Sequence, residues 1–304
     1  MTVRITLAAL LTALVLAGGC QPPQTSPASD SPSPPDARPT VFVSIEPQAY
    51  FAERVAGGRA RVEVLVPPGQ SPATYEPTPA QMAALAGADV FFRIGVPFEA
   101  GLMARIGESM PQLNVVDTRL GVPLRSFAEH GDPHEAGGAH DHGGDDPHIW
   151  LAPRLVEIQA GTIAGELARL DPAHADGYEA NRVAFVEELR ALHDELAGIL
   201  PRGATITVFH PSWGYLCDEF GLTQVAIEVE GKEPAPRQLQ QMIDDARARQ
   251  VSTIFVEPQF SSASAQAIAR EIGAQVVPID PLARDWAANL RDVAHAIAVA
   301  EVPK

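Results

Sequence analysis

The sequence predicts an α/β protein with two lobes of mostly parallel sheet, flanked by helices and joined by one long backbone helix. Short β-branched runs alternate with amphipathic segments from Val41 onward, and such alternation is typical of parallel sheets with helical crossovers. A long stretch with a single apolar face interrupts the alternation near the middle of the chain. This stretch divides the body into two halves, and a ligand is expected in the cleft between them.

The amino terminus is predicted to be a targeting segment that does not contribute to the fold. An apolar run over residues 5–16 follows Arg4 and leads to small residues before Cys20. The run is shorter than the roughly 20 residues that cross a bilayer, and it fits a secretory signal. We therefore expect residues 1–20 to be a lipoprotein signal with Cys20 acylated, although Ala17 stands where Leu is usual. Ordinary secretion without a role for Cys20 is the alternative.

Residues 21–40 are rich in Pro and Ser. This composition stays extended and solvated, so the segment is predicted to tether the folded body to a lipid anchor in the membrane. The body contains a single cysteine, Cys217, and no disulfide framework is expected. The chain carries 22 basic and 38 acidic side chains, a net charge of −16, which repels nucleic acid and attracts cations. These features predict an extracytoplasmic monomer, lipid-anchored to the cell membrane or periplasmic, with no nucleic-acid partner.

The N-terminal lobe, residues 41–172, is predicted to contain four strands and three helices. Strands are expected at 41–45, 62–66, 90–94 and 115–117, and helices at 48–56, 79–86 and 99–109. A segment at 129–146, rich in Gly, Asp and His, breaks the pattern. Its composition is typical of metal-binding tracts, and its histidines are His130, His134, His140 and His142. A solvated loop without effect on metal uptake is the alternative.

A linking helix is predicted over residues 173–200, where apolar side chains keep one face and Pro201 ends the pattern. The side chains of that face are Tyr178, Phe185, Leu189, Leu192, Leu196 and Ile199. The C-terminal lobe, residues 201–304, repeats the alternation of the first lobe. Strands are expected at 206–209, 224–227, 253–256 and 275–279, and helices at 212–220, 236–249, 262–272 and 285–300.

Three polar residues stand at positions that predict a shared site. His210 follows one predicted strand and Asp280 ends another, while His148 follows the His-rich segment. Because ligands of open parallel sheets bind beyond the carboxyl ends of the strands, His210 and Asp280 are expected to face the same cleft, with His148 approaching from the other lobe. Two imidazoles and a carboxylate suit Zn²⁺, and also Mn²⁺ or Fe²⁺. The alternative for each residue is a purely hydrogen-bonding role.

Several motifs resemble the zinc and manganese solute-binding proteins of ABC importers, the ZnuA/TroA-like superfamily, and most closely its ZntC-like branch. They are Thr74-Tyr75-Glu76-Pro77, Asp146-Pro147-His148-Ile149-Trp150-Leu151, Phe209-His210-Pro211-Ser212-Trp213-Gly214-Tyr215 and Glu257-Pro258-Gln259-Phe260. The resemblance covers nearly the whole body. It implies a metal held in the cleft and delivered to a membrane permease, with His148, His210 and Asp280 at the positions of family ligands.

One position departs from the pattern of that family. The family usually has a histidine just before Thr74, where this chain has Ala73. Alanine cannot bind a metal, so either water completes the site or another residue takes the place. Glu46, which follows the first predicted strand, is the candidate substitute. The alternative for Glu46 is a carboxylate that interacts with the dipole of a helix start.

Together these features predict an extracytoplasmic receptor, not an enzyme, that binds Zn²⁺ and delivers it to an ABC importer permease. The absent histidine at Ala73 favours manganese, while the remaining nitrogen ligands and the His-rich segment favour zinc. A manganese or iron receptor is the alternative of the same type. A metallohydrolase, a periplasmic metal buffer and an adhesin are the alternatives from other classes.

Overall fold

The computed structural model describes residues 38–126, 144–227, 236–260 and 263–300. These residues form two four-stranded sheets flanked by helices. In chain order the elements are β1 (Thr40–Val43), α1 (Glu46–Ala56), β2 (Arg61–Val64), α2 (Pro79–Leu85), β3 (Val90–Arg93), α3 (Phe98–Ser109), β4 (Val115–Asp117), α4 (Pro153–Leu170), α5 (Ala175–Ile199), β5 (Thr205–Val208), α6 (Gly214–Phe220), β6 (Thr223–Ala226), α7 (Pro236–Ala248), β7 (Thr253–Val256), α8 (Ala263–Ile272), β8 (Gln275–Pro278) and α9 (Trp286–Ala300). Short 3₁₀ turns lie at Ile149–Leu151 and Pro172–His174.

Both sheets are parallel and share one strand order, which confirms the predicted α/β class with two lobes. The first sheet runs β2-β1-β3-β4 and the second runs β6-β5-β7-β8. In each sheet the order reverses between the two central strands, β1 and β3 or β5 and β7. Ligands of open parallel sheets bind at such reversals, beyond the carboxyl ends of the strands. The segments that follow these central strands are therefore the first place to expect functional side chains.

The central strands β1 and β3 form around uninterrupted runs of Val and Phe. Val41, Val43, Phe91 and Phe92 have no exposed surface, because helices cover both faces of a parallel sheet. In the second sheet Val208 is equally buried. This burial fixes the strands, and the strands in turn fix the segments at their carboxyl ends.

The predicted linking helix is present as α5 and confirms one long helix between the sheets. It packs along α4, a helix that was not predicted. Helix α4 begins with Pro153 and buries Val156, Ala160, Ile163 and Leu167 along one face. Proline at the first helical position and apolar residues three and four apart are ordinary helix signals, so the sequence contains the signals for both helices.

Two tryptophans join the carboxyl-terminal helix to the rest of the core. The Trp286 indole N–H, at the start of α9, donates to the Trp150 carbonyl at 2.7 Å, and the Trp150 indole N–H donates to the Pro281 carbonyl at 2.7 Å. Both rings are buried, and the Trp286 ring meets the Phe51 ring of α1 edge-on, with centroids 5.1 Å apart. Helix α9, which follows the last strand of the second sheet, therefore shares one continuous core with α1, which packs on the first sheet.

Several predicted features lie outside the described residues. They are the lipoprotein signal at 1–20 with its Cys20, most of the tether at 21–40, and the loop histidines His130, His134, His140 and His142. Within the described ranges, no helix is both long and apolar enough to cross a membrane. The contacts of the chain from Arg38 onward form one compact unit, so the lobe boundaries at 172 and 200 stay predictions.

Trp286→Ala should strongly destabilise the protein. The substitution removes a buried ring and leaves the Trp150 carbonyl without its donor, so the free energy of unfolding in urea should fall by about 3–5 kcal/mol. Val299→Ala is the matched control on the same helix, because Val299 is 74% exposed, and it should change stability by less than about 0.5 kcal/mol. Similar losses in both variants would contradict the shared core.

Candidate metal-binding site

A small cavity lies where the carboxyl-end segments of the two sheets approach each other. Segments after β3, β5, β7 and β8 line it, together with residues 71–73 and 147–150. Its volume is about 80 Å³, far below the roughly 300–1,000 Å³ of pockets for drug-sized ligands. An ion fits this space, and a large organic ligand does not. The apolar part of the wall includes Val96, Pro97, Trp150, Phe260, Pro281 and Leu282.

His148, in the wall of this cavity, is oriented by a buried carboxylate. Its Nδ1 lies 2.7 Å from Asp146 Oδ1, which also accepts a hydrogen bond from the His148 backbone N–H at 3.0 Å. A carboxylate only accepts, so the ring proton sits on Nδ1 and the lone pair on Nε2. Burial lowers the pKa of His148 against the opposing effect of the Asp146 charge, which keeps the ring neutral. Metal-binding histidines typically have this partner and this tautomer.

His210 follows β5 and faces His148 across the cavity. The two imidazole centroids are 5.3 Å apart at an interplanar angle of 71°, and the His210 ring also lies 4.7 Å from the Phe260 ring. The His210 backbone N–H donates to Glu257 Oε2 at 3.1 Å, and Glu257 Oε1 accepts from the Trp213 indole at 3.3 Å. Burial raises the pKa of Glu257 to about 7. Glu257 thus fixes the His210 segment from the end of the neighbouring strand β7.

Asp280 lies beside the cavity and is not part of its wall. Its Oδ1 accepts hydrogen bonds from Gln259 Nε2 at 2.7 Å and from the Leu282 backbone N–H at 2.9 Å. Across the described part of the chain, no three His, Cys, Asp or Glu side chains are close enough to hold an ion together. The structure therefore brings His148 and His210 together, while Asp280 is hydrogen-bonded to Gln259 in the wall of the same cavity. The ligand set of all three residues stays a prediction.

The position of the missing histidine faces this cavity, because Ala73 contributes to the wall. Its candidate substitute, Glu46, does not belong to the wall. Glu46 is the first residue of α1, and its Oε2 accepts a hydrogen bond from Arg284 Nη1 at 2.6 Å. The same guanidinium donates to Glu53 Oε1 at 2.5 Å. Glu46 therefore has Oε2 engaged by Arg284 outside the cavity wall, and its role as a ligand stays a prediction.

A hydrogen-bonded brace connects the Asp146 segment to helix α6. The Tyr215 hydroxyl donates to the Asp146 carbonyl and accepts from the Arg125 backbone N–H, each at 2.9 Å. The Arg125 guanidinium lies close to Gly214, so a Cβ there would require this side chain to shift. Because the His210 segment leads directly into α6, the brace holds both histidine-bearing segments in one arrangement.

Three residues of the site have roles that the sequence did not indicate. Asp146 orients one histidine, Glu257 holds the backbone of the other, and Gln259 lies in the wall and bonds Asp280. All three belong to the motifs that carry the family resemblance, so their positions were visible. Their roles depend on which atoms face each other across different segments, and local sequence patterns do not determine that.

Two parallel-sheet lobes with a small, histidine-containing cavity between them define the class of two-lobed solute-binding proteins. The sequence profile described as "Zinc-uptake complex component A periplasmic" matches residues 41–300, and the chain belongs to that family. The match spans nearly every described element of both sheets.

Individual relatives support the same classification. The high-affinity zinc uptake system protein ZnuA of Yersinia pestis is 28% identical over 266 residues, covering 81% of this chain and 84% of that protein. The manganese-binding lipoprotein MntA of Halalkalibacterium halodurans is 27% identical over 230 residues, covering 74% and 72%. A crystal structure of a ZnuA deletion mutant with zinc bound is 42% identical with a TM-score of 0.78, covering 88% of this chain and 99% of that one.

Asp146→Asn should weaken metal binding without disturbing the fold. The amide keeps the shape of the side chain but removes the negative charge that fixes His148, so zinc affinity should fall about 10- to 100-fold in competition titration. Asp171→Asn is the matched control, because Asp171 holds His174 Nδ1 at the same 2.7 Å on an exposed surface, and it should leave the affinity unchanged. Equal affinity in Asp146→Asn and the unmodified protein would show that this contact does not matter.

Proposed function

We propose that this protein is an extracytoplasmic receptor that captures Zn²⁺ and delivers it to the permease of an ABC importer. The observation that carries the proposal is the pair of imidazoles, His148 and His210, with centroids 5.3 Å apart in a cavity of ionic dimensions. The family of periplasmic zinc-uptake components supports delivery to a permease. Members of such importers bind and release a solute, so we assign a binding role, not a reaction.

The proposed ligands are His148, His210 and Asp280. Since Asp146 occupies Nδ1 of His148, Nε2 is the nitrogen for the metal. Asp280 has Oδ1 engaged by Gln259 and Leu282, so its Oδ2 is the oxygen that would approach the ion. One carboxylate leaves the complex with one positive charge in a largely apolar wall, and that charge favours a further oxygen donor.

Zinc is proposed ahead of manganese because sites with nitrogen donors have a higher intrinsic affinity for zinc. A manganese or iron receptor is the second candidate. It is favoured by the loss of an imidazole at Ala73, which makes the donor set harder, and by the similarity to a manganese-binding lipoprotein. Metal analysis of protein purified without added metal, followed by competition between Zn²⁺ and Mn²⁺, separates the two candidates. Retention of manganese in excess zinc would contradict the first.

Two accessory features belong to the same proposal. Cys20 would carry the lipid that keeps the receptor at the membrane. The histidines at 130, 134, 140 and 142 would bind additional zinc weakly and raise its local concentration. An antiparallel β-bridge between Ser126 and Asp145 supports the second of these roles, because Asp145 lies directly before Asp146 and close in sequence to His148. Zinc bound by the histidine-rich segment would therefore be released next to the cavity.

Single alanine substitutions at His148, His210 and Asp280 should each weaken zinc binding at least tenfold, about 1.4 kcal/mol, in isothermal titration calorimetry. Each variant removes one bond to a shared ion. His174→Ala serves as the control, since the His174 side chain is 53% exposed on a surface turn. Unchanged zinc affinity in His210→Ala would overturn the assignment of the cavity.

Deleting residues 129–143 should leave cavity affinity unchanged and reduce the number of weakly bound zinc ions. The deletion keeps Asp145 and its bridge to Ser126, so the His148 segment should retain its position. Calorimetric stoichiometry measures the difference directly. An unchanged number of weak sites would show that these histidines do not bind zinc.

A further inference from the structure

One polar atom in the wall of the cavity is left without a partner. Gln259 lines the cavity together with His148, His210 and Ala73. Its Oε1 atom is buried, and within the described ranges no group donates a hydrogen bond to it. A buried amide oxygen without a donor is costly, and folded proteins rarely leave one unless a ligand or an ordered water completes it. Because Gln259 stands in the cavity wall, a bound ion would be one group that completes this oxygen.

The orientation of this amide is fixed by its neighbour. Gln259 Nε2 donates to Asp280 Oδ1 at 2.7 Å. A carboxylate cannot donate, so reversing the amide would place two acceptors against each other. Oε1 must therefore occupy the opposite side of the amide from Asp280. The same residue therefore has its N–H group bonded to the predicted carboxylate ligand and its oxygen left without a donor.

We propose that Gln259 Oε1 is a fourth metal ligand, an amide oxygen that takes the place of the imidazole absent at Ala73. The inference rests on the proposed function, because it assumes that His148, His210 and Asp280 bind the ion. Gln259 already stands in the wall with both histidines, whereas Glu46 is held by Arg284 outside it. The hydrogen bond from Gln259 to Asp280 would keep the two oxygen donors adjacent.

This donor set has a consequence for selectivity. Two imidazoles, one carboxylate and one neutral amide oxygen form a harder site than three imidazoles and a carboxylate. Hard oxygen donors suit Mn²⁺, while imidazole favours zinc. Gln259 would therefore narrow the difference between zinc and manganese affinity, compared with a site that keeps the third histidine.

The test compares two substitutions that separate the oxygen of Gln259 from its N–H group. Gln259→Glu keeps an oxygen but removes the donor to Asp280, and Gln259→Met removes both. If Oε1 binds the metal, zinc affinity at neutral pH should fall at least tenfold in Gln259→Met and be retained or increased in Gln259→Glu. Comparable losses in both variants would mean that Gln259 only positions Asp280, and this would overturn the proposal. Unchanged affinity in both would overturn it as well.

Two reference variants complete the experiment. His210→Ala must lose affinity if the cavity is the metal site, so an unaffected His210→Ala identifies a failure of the proposed function instead of a failure of this inference alone. Glu46→Gln should leave zinc affinity unchanged. If zinc affinity falls in Glu46→Gln and stays unchanged in Gln259→Met, Glu46 is the fourth ligand and the proposal is overturned. Urea denaturation of each metal-free variant checks that the fold is preserved.

Discussion

The hydrogen bond between the Asp146 carboxylate and His148 Nδ1 is the interaction on which the rest of the site depends. At 2.7 Å in a buried environment, it fixes the tautomer and leaves the Nε2 lone pair for the proposed metal. The pKa of the ring is lowered by burial, so no proton would have to leave before an ion binds at neutral pH. Asp146 is itself held through its carbonyl by Tyr215 of α6, so a helix beside the second sheet stabilises a proposed ligand that precedes the linking helices.

The fold places a buried acidic side chain beside each of the two histidine segments. The His148 ring bonds Asp146, and the His210 backbone N–H donates to Glu257. Asp280 and Gln259 bond each other at the edge of the cavity, so the two proposed oxygen donors form one hydrogen-bonded pair. In the proposed site, this pair and the two imidazoles would surround the ion.

Sequence patterns predicted the fold well because they report burial. The runs that form β1, β3 and β5 are apolar and β-branched, and α5 keeps one apolar face, so these elements were found within a few residues of their ends. Helix α4 had equally clear signals and was left unassigned. The site was predicted only in part. Strand-end positions identified His210 and Asp280, but the Asp280–Gln259 contact and the Glu46–Arg284 ion pair join residues far apart in the chain, and no local pattern encodes them.

The central claim is that one ion binds between His148 and His210, and a crystal structure of the zinc-loaded protein with anomalous diffraction at the zinc edge tests it most directly. The account predicts a zinc peak in the cavity, with His148 Nε2, a ring nitrogen of His210 and an Asp280 oxygen each about 2.0–2.2 Å from the ion. A fully occupied zinc peak elsewhere, with the two histidines unchanged and the cavity empty, would contradict it.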